Sequence, residues 1–118
     1  MQVADFAAPG ASCSQGGAEF TNTTNGLQIS ARLCLSGQET RLSGPVNPIA
    51  PGRLAIDGIE PWWVLWADAD YRTLVIGAPS GAFGFILNRD GPLPADRLTA
   101  ASDIFAWNGY DLSRLVTR

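Results

Sequence analysis

Apolar and polar positions alternate from Leu27 to Leu35: Leu27, Ile29, Ala31, Leu33 and Leu35 fall on one side, and Gln28, Ser30, Arg32 and Cys34 on the other. Side chains of a strand point alternately to its two faces, so this segment is a half-buried strand. Ala18 to Thr24 precedes it. Asn25-Gly26 between the two is a strong hairpin signal, because both central positions of a type I′ turn need positive φ. Ser36-Gly37 makes a second reversal into Gln38 to Ser43, after which Gly44, Pro45, Pro48, Pro51 and Gly52 mark an irregular connection. Arg53 to Ile56 reads as a short strand turned by Asp57-Gly58, and Met1 to Phe6 as a short strand ending in a loop with Pro9 and Gly10.

The stretch from Glu60 to Asp90 carries most of the predicted core. Glu60 to Asp68, Tyr71 to Gly77 and Gly81 to Arg89 are rich in β-branched and aromatic residues and are bounded by the turns Ala67-Asp-Ala-Asp70 and Ala78-Pro-Ser-Gly81. Connections this short leave no room for crossover helices, so the three strands form an antiparallel meander. Beyond Gly91 the period changes. Leu98, Ala101, Ile104 and Phe105 recur at helical spacing, Pro94 suits a first helical position and Gly109 a stop, which predicts one helix over about 94–108 with an apolar stripe. Asp111 to Val116 can add a last strand. About eight short antiparallel strands and one C-terminal helix predict an all-β, up-and-down barrel with the helix packed outside, and 118 residues suit a single domain over 1–118.

Composition narrows the function. Eleven acids against eight bases, all arginine, give a net charge of -3 without a basic stripe, so no nucleic acid partner is expected. The chain has no His and two Cys, so no metal, no cofactor and no His-based catalytic site is expected. Asp68, Asp70 and Asp103 read as solvated charge; a carboxylate or Tyr71 could move a proton, yet enzyme activity is not expected. Trp107 reads as packing at the helix end. An eight-stranded barrel can hold one small ligand. Two function classes follow, a binder of a hydrophobic small molecule and a solidly packed barrel acting as a protein-interaction module.

Several motifs in order, Trp63-Val-Leu-Trp-Ala-Asp-Ala-Asp-Tyr71, Leu74-Val-Ile-Gly77, Phe85-Ile-Leu-Asn-Arg-Asp90, Leu93-Pro94 and Gly109-Tyr-Asp-Leu-Ser113, resemble the second half of a bacterial lipocalin of the outer-membrane lipoprotein type, similar to apolipoprotein D. The resemblance spans roughly residues 60 to 115. It departs from the family in lacking the Gly-x-Trp of the first strand, which implies a truncated first strand and a natural product starting upstream with a Gly-x-Trp and a lipoprotein leader. What the resemblance implies is carriage of a fatty acid or lysophospholipid inside the barrel, in a bacterial cell envelope. Membrane association would then come only through a leader or lipid anchor outside this sequence.

For the site, the resemblance points to Trp62, Val64, Trp66, Phe83, Phe85 and Arg89 as inward-facing, with Trp63 and Leu65 on the outer face beneath the helix. Arg89, which in the family packs across the missing Trp, is expected to bond carbonyls near Met1 to Ala4 or at the C-terminal strand. With no cluster of positive charge, the preferred ligand would be a neutral or singly anionic chain entering at the open end. Cys13 and Cys34 flank the Asn25-Gly26 hairpin in a chain that resembles an envelope protein, so a disulfide is expected. A two-residue turn there places Cys34 opposite Gly17, and Ser14 to Gly17 must bulge to bring Cys13 across.

Overall fold

Turn chemistry and alternation place nearly every element where the pattern predicts it. The computed structural model describes residues 1–6, 13, 16–24, 26–56, 58–68, 72–89 and 93–117. Its elements are β1 (Gln2–Phe6), β2 (Gly17–Thr23), β3 (Gly26–Leu35), β4 (Gln38–Ala50), β5 (Arg53–Ile56), β6 (Trp62–Ala67), β7 (Thr73–Gly77), β8 (Gly84–Asn88), α1 (Ala95–Trp107), a 3₁₀ turn (Leu112–Arg114) and β9 (Leu115–Thr117). The strands form one antiparallel sheet ordered β2-β3-β4-β5-β6-β7-β8-β1-β9.

The hairpin tips depart from expectation in detail. β2 and β3 pair through Thr23↔Gly26, so their loop sits one residue earlier than Asn25-Gly26 and Gly17 faces Arg32 rather than Cys34. The Thr23 hydroxyl donates to the Gly26 carbonyl at 3.0 Å and tightens this earlier turn; Asn25 itself lies outside the described residues. Ser36 and Gly37, with φ of 52° and 78°, reverse the chain as predicted.

The expected irregular connection after Ser43 is strand. β4 runs 13 residues, through Pro45 and Pro48. Its first half pairs with β3 as far as Gln28↔Pro45, and its second half with β5 from Val46↔Ile56. Each half therefore uses one edge, which is the setting in which a strand tolerates proline. Gly44 (φ 146°) marks the corner between the halves, a backbone shape open to glycine.

Two apolar layers result. Inside the curled sheet lie Ile29, Leu33, Leu35, Leu42, Val46, Ile56, Trp62, Ile76, Phe83, Phe85 and Leu87. Outside it, Val3, Ala4, Phe6, Val75, Ile86, Ala101 and Phe105 form a second cluster that seats α1. The predicted stripe is the one that binds: Ala101 and Phe105 are buried and Leu98 and Ile104 are half-buried against the same cluster. Trp107 does not pack; it stands 92% exposed. Two residues beyond Phe105 it is rotated about 200° round the helix, away from the sheet.

Pro94 is the residue preceding the first turn rather than its first member. At the other end Gly109 (φ 87°) stops the helix as expected, with Gly109 N–H donating to the Ala106 carbonyl and Tyr110 N–H to the Phe105 carbonyl, both at 3.0 Å. The chain then makes the 3₁₀ turn, capped by the Asp111 carboxylate accepting from Ser113. β9 is shorter than the predicted tail strand and pairs with β1 through Ala4↔Thr117, Asp5↔Val116 and Phe6↔Leu115.

A polar network fastens α1 to the turn before β7. Asp68 Oδ1 accepts from the Arg72 and Thr73 backbone N–H groups at 2.6 and 3.2 Å, and Oδ2 meets the Arg97 guanidinium at 3.2 Å. Arg97 also donates to the Thr73 hydroxyl, which donates to Asn88 Oδ1 at 2.8 Å. Asp68 is thus not the solvated charge expected of it; Asp103 is exposed, and Asp70 and Tyr71 lie outside the described residues.

Partial burial raises the Asp68 pKa, and the two backbone N–H groups with Arg97 and Arg72 outweigh it, so the net shift is downward. The fold therefore favours the ionised form. The stabilisation is complete above the ordinary carboxylate pKa of about 3.9 and is lost as pH falls through and below it. Asp111, lowered by its hydrogen bonds to Ser113, acts in the same window. In Asp68→Asn the unfolding midpoint at pH 7 should be lower than in the parent, and its fall between about pH 5 and 3 should be shallower. Equal acid limbs in parent and variant would refute this.

Candidate functional site: the barrel interior

The interior is built from the alternate residues of each strand. Trp62 is fully buried near the start of β6; its ring meets Phe85 edge-on with centroids 5.0 Å apart, and Phe20 of β2 edge-on at 6.4 Å. Phe83 stacks beside Phe85 at 6.2 Å. Around this aromatic centre the inner face continues through Ala18, Leu27, Ala31, Leu54, Val64 and Leu74, all only half-buried. Phe20, on the edge strand, is 37% exposed.

Of the six side chains expected inside, Trp62, Val64, Phe83 and Phe85 pack in this cluster. Trp66 does not. It lies on the outer face under α1 with Leu65, because the β6–β7 register slips between Val64↔Ile76 and Trp66↔Val75. Such a bulge inserts one unpaired residue and exchanges the faces of everything after it. Arg89 is exposed just beyond β8, its backbone N–H donating to the Arg72 carbonyl at 3.0 Å. A cation–π contact does occur, on the outer face: the Arg53 guanidinium sits 3.8 Å from the Trp63 ring centroid.

Two interior polar groups escaped sequence reasoning. Gln2 is buried and its side-chain amide imitates a strand partner, Nε2 donating to the Cys34 carbonyl at 2.7 Å while Oε1 accepts from Cys34 N–H at 2.8 Å. With Gln2 N–H donating to the Gly16 carbonyl at 2.9 Å, this ties β1 to the β2–β3 flank, where the described residues form no continuous ladder. Asp5 is buried and pairs with Phe85, and paired residues share a face, so it belongs to the inner side. The signal for both was their position in a strand whose other residues, Val3, Ala4 and Phe6, are all outer-face core. Cys13 and Cys34 are joined, with Cα atoms 6.1 Å apart.

The mouth is laced by short side-chain bonds. Ser36 of the β3–β4 turn donates to the Ala82 carbonyl at 2.5 Å, and Ser80 donates to Glu60 Oε1 at 2.6 Å while accepting from Ala82 N–H. Tyr110 donates to the Phe83 carbonyl at 2.6 Å and accepts from Ala78 N–H; burial is the main cause of its raised pKa. A cleft of about 270 Å³ beside the mouth, lined by Phe6, Ser36, Ala82, Tyr110, Asp111 and Arg114, lies outside the interior cluster. Among the described residues no three of His, Cys, Asp and Glu converge on one point.

Comparison with known proteins bears on fold and family. The fold is similar to that of lobster apocrustacyanin A1, at 17% identity and a TM-score of 0.64, the match covering 98% of this chain and 72% of that one. Apocrustacyanin C2 gives the same values, and apocrustacyanin C1 18% identity, a TM-score of 0.62 and coverage of 99% and 73%. At such identities the likeness is one of fold. No curated protein matches. The profile of the lipocalin-like domain matches residues 50–118, more than half of the chain, and the chain therefore belongs to the family of lipocalin-like domains.

Proposed function

We propose that this protein binds and carries a small hydrophobic molecule with a single acyl chain, a fatty acid or lysophospholipid, in the barrel interior. The observation that supports this most is the inner face itself: a concave apolar surface whose lower half, from Leu27 and Ala31 to Leu54, Val64 and Leu74, stays half-solvated. A small apolar molecule lying along these residues would complete their burial beside the fully buried Trp62, Phe85 and Ile76. Entry is at the open end, where the Ser36–Ala82 and Ser80–Glu60 bonds part to admit the chain. The Cys13–Cys34 bridge favours an oxidising compartment, and a bacterial cell envelope is part of the same proposal. Displacement of a fluorescent fatty acid tests the reading: unlabelled acyl chains should compete, with affinity rising with chain length and changing little with salt. Folded protein that releases no probe to any acyl chain would overturn it.

Trp107 favours a second reading, in which the exposed indole anchors a protein partner. In that case Trp107→Ala abolishes association while leaving acyl-chain binding unchanged.

A further inference from the structure

We propose that Trp62 selects the ligand: its indole N–H donates a hydrogen bond to a neutral carbonyl oxygen, so the barrel takes ketones, aldehydes or esters of apolar chains in preference to hydrocarbons and free carboxylates. This rests on the reading that the interior holds a single-chain lipid, and of its two candidates it favours the ester-bearing lysophospholipid over the free fatty acid. Trp62 is fully buried, and its Nε1 atom has no hydrogen-bond partner among the described residues. Buried indole N–H groups are ordinarily paired, because an unmet donor carries its full desolvation cost. Phe85 and Phe20 hold the ring edge-on from two sides, so it cannot turn to find an acceptor without breaking the aromatic cluster. Phe20 lies on the edge strand β2 and is itself part-exposed. It is therefore the ring contact of Trp62 that can yield to a ligand while the fully buried Phe85 stays in place.

The surroundings decide the chemistry of the acceptor. The side chains that cluster with Trp62 are apolar. Arg32 and Arg41 pair across β3 and β4, next to the inward pair Ala31 and Leu42 and hence on the other face. Arg53 is held on Trp63, and Arg72 and Arg89 are exposed. The buried carboxyl group Asp5 shares the inner face with Phe85. A carboxylate brought to Nε1 would exchange water for one donor among apolar side chains, whereas a carbonyl oxygen loses little and satisfies the donor.

The test compares chains of equal length, an n-alkane, a methyl ketone, a methyl ester and the free fatty acid at pH 8, as competitors of a fluorescent probe against the parent and Trp62→Phe. The parent should bind the ketone and ester about tenfold more tightly than the alkane, the worth of one satisfied buried hydrogen bond. They should also exceed the carboxylate by at least that factor. In Trp62→Phe the advantage of ketone and ester over the alkane should shrink below about twofold, read as a ratio within the variant so that a change common to all ligands cancels. As a check that needs no variant, the Trp62 indole ¹H–¹⁵N resonance of the parent should move on addition of ketone and not of alkane. Equal affinity for ketone and alkane, or an indole resonance that reports only a bound water and ignores the ketone, overturns the carbonyl assignment and leaves the carrier reading intact. Failure of every competitor overturns both.

Discussion

Replacement of Cys13 and Cys34 by serine is expected to lower stability by about 3 kcal/mol, the entropy model's value for a loop of this size. The bridge spans a sequence separation of 21. For a domain of 118 residues that is a fall in Tm on the order of 10 °C. The local effect should exceed the global one, since Cys34 is where two fastenings meet. Its sulfur holds the chain leading into β2, and its peptide groups hold Gln2 and through it β1. Gln2 and Cys34 bond to each other across this flank, so their amide protons should exchange faster than those of β7 and β8 once the bridge is gone. An unfolding midpoint that reduction leaves unmoved would contradict the assignment of this bridge as a stabilising element. Gln2→Ala with the bridge intact should show the same loosening without the change in the unfolded chain.

The parts of this fold that local rules decide were readable in the sequence, and the parts decided by a neighbour were not. The alternation from Leu27 to Leu35 places the correct face inward because period two survives any register that keeps parity. The helix and its buried stripe were legible because Leu98, Ala101 and Phe105 keep one period from first turn to last. β4 was hidden by prolines, whose cost depends on which edge is paired, a fact of the sheet and not of the strand. Trp66 was assigned to the wrong face by a bulge that leaves no mark in Trp62-Trp-Val-Leu-Trp66.

The interior aromatics of β6 and β8 were legible; the polar groups between them were not. Asp5 and Gln2 look like solvated positions in a short strand. They are buried because β1 lies between β8 and β9 and its amino-terminal end meets the β2–β3 flank. Arg53 on Trp63 was invisible for the same reason, since their pairing joins β5 to β6. What carries the ligand proposal most specifically, the unpartnered Trp62 N–H, is a property of three-dimensional surroundings that no residue spacing encodes.

Truncation of Phe105 should cost about 3–5 kcal/mol in Phe105→Ala. The ring is fully buried between sheet and helix, edge-on to Phe6 with centroids 4.8 Å apart and tilted against Tyr110 at 5.1 Å. Both contacts add to area burial, and Phe105 is the largest residue that α1 places in the outer cluster. Gly84 explains how the ring comes so close. A Cβ there would lie 2.9 Å from Phe105 Cε1 and from Tyr110 Cε1, and 3.2 Å from Phe6 Cδ2, so only glycine admits all three rings. Gly84→Ala should therefore cost about 1–3 kcal/mol by overpacking.

The two substitutions should not add. With the Phe105 ring removed, one of the two closest contacts of the new methyl disappears and the cavity has room to receive it, so the double variant should be more stable than the sum of the single losses predicts. A coupling of at least about 0.5 kcal/mol in denaturant unfolding is expected for residues in contact. Strict additivity would mean that the helix rests on the sheet elsewhere. Because Phe105 belongs to the outer cluster and Trp62 to the inner one, Phe105→Ala below its midpoint should leave the fluorescence of Trp62 and the binding of apolar probes unchanged, which separates the helix as a stabilising element from the barrel interior as the site.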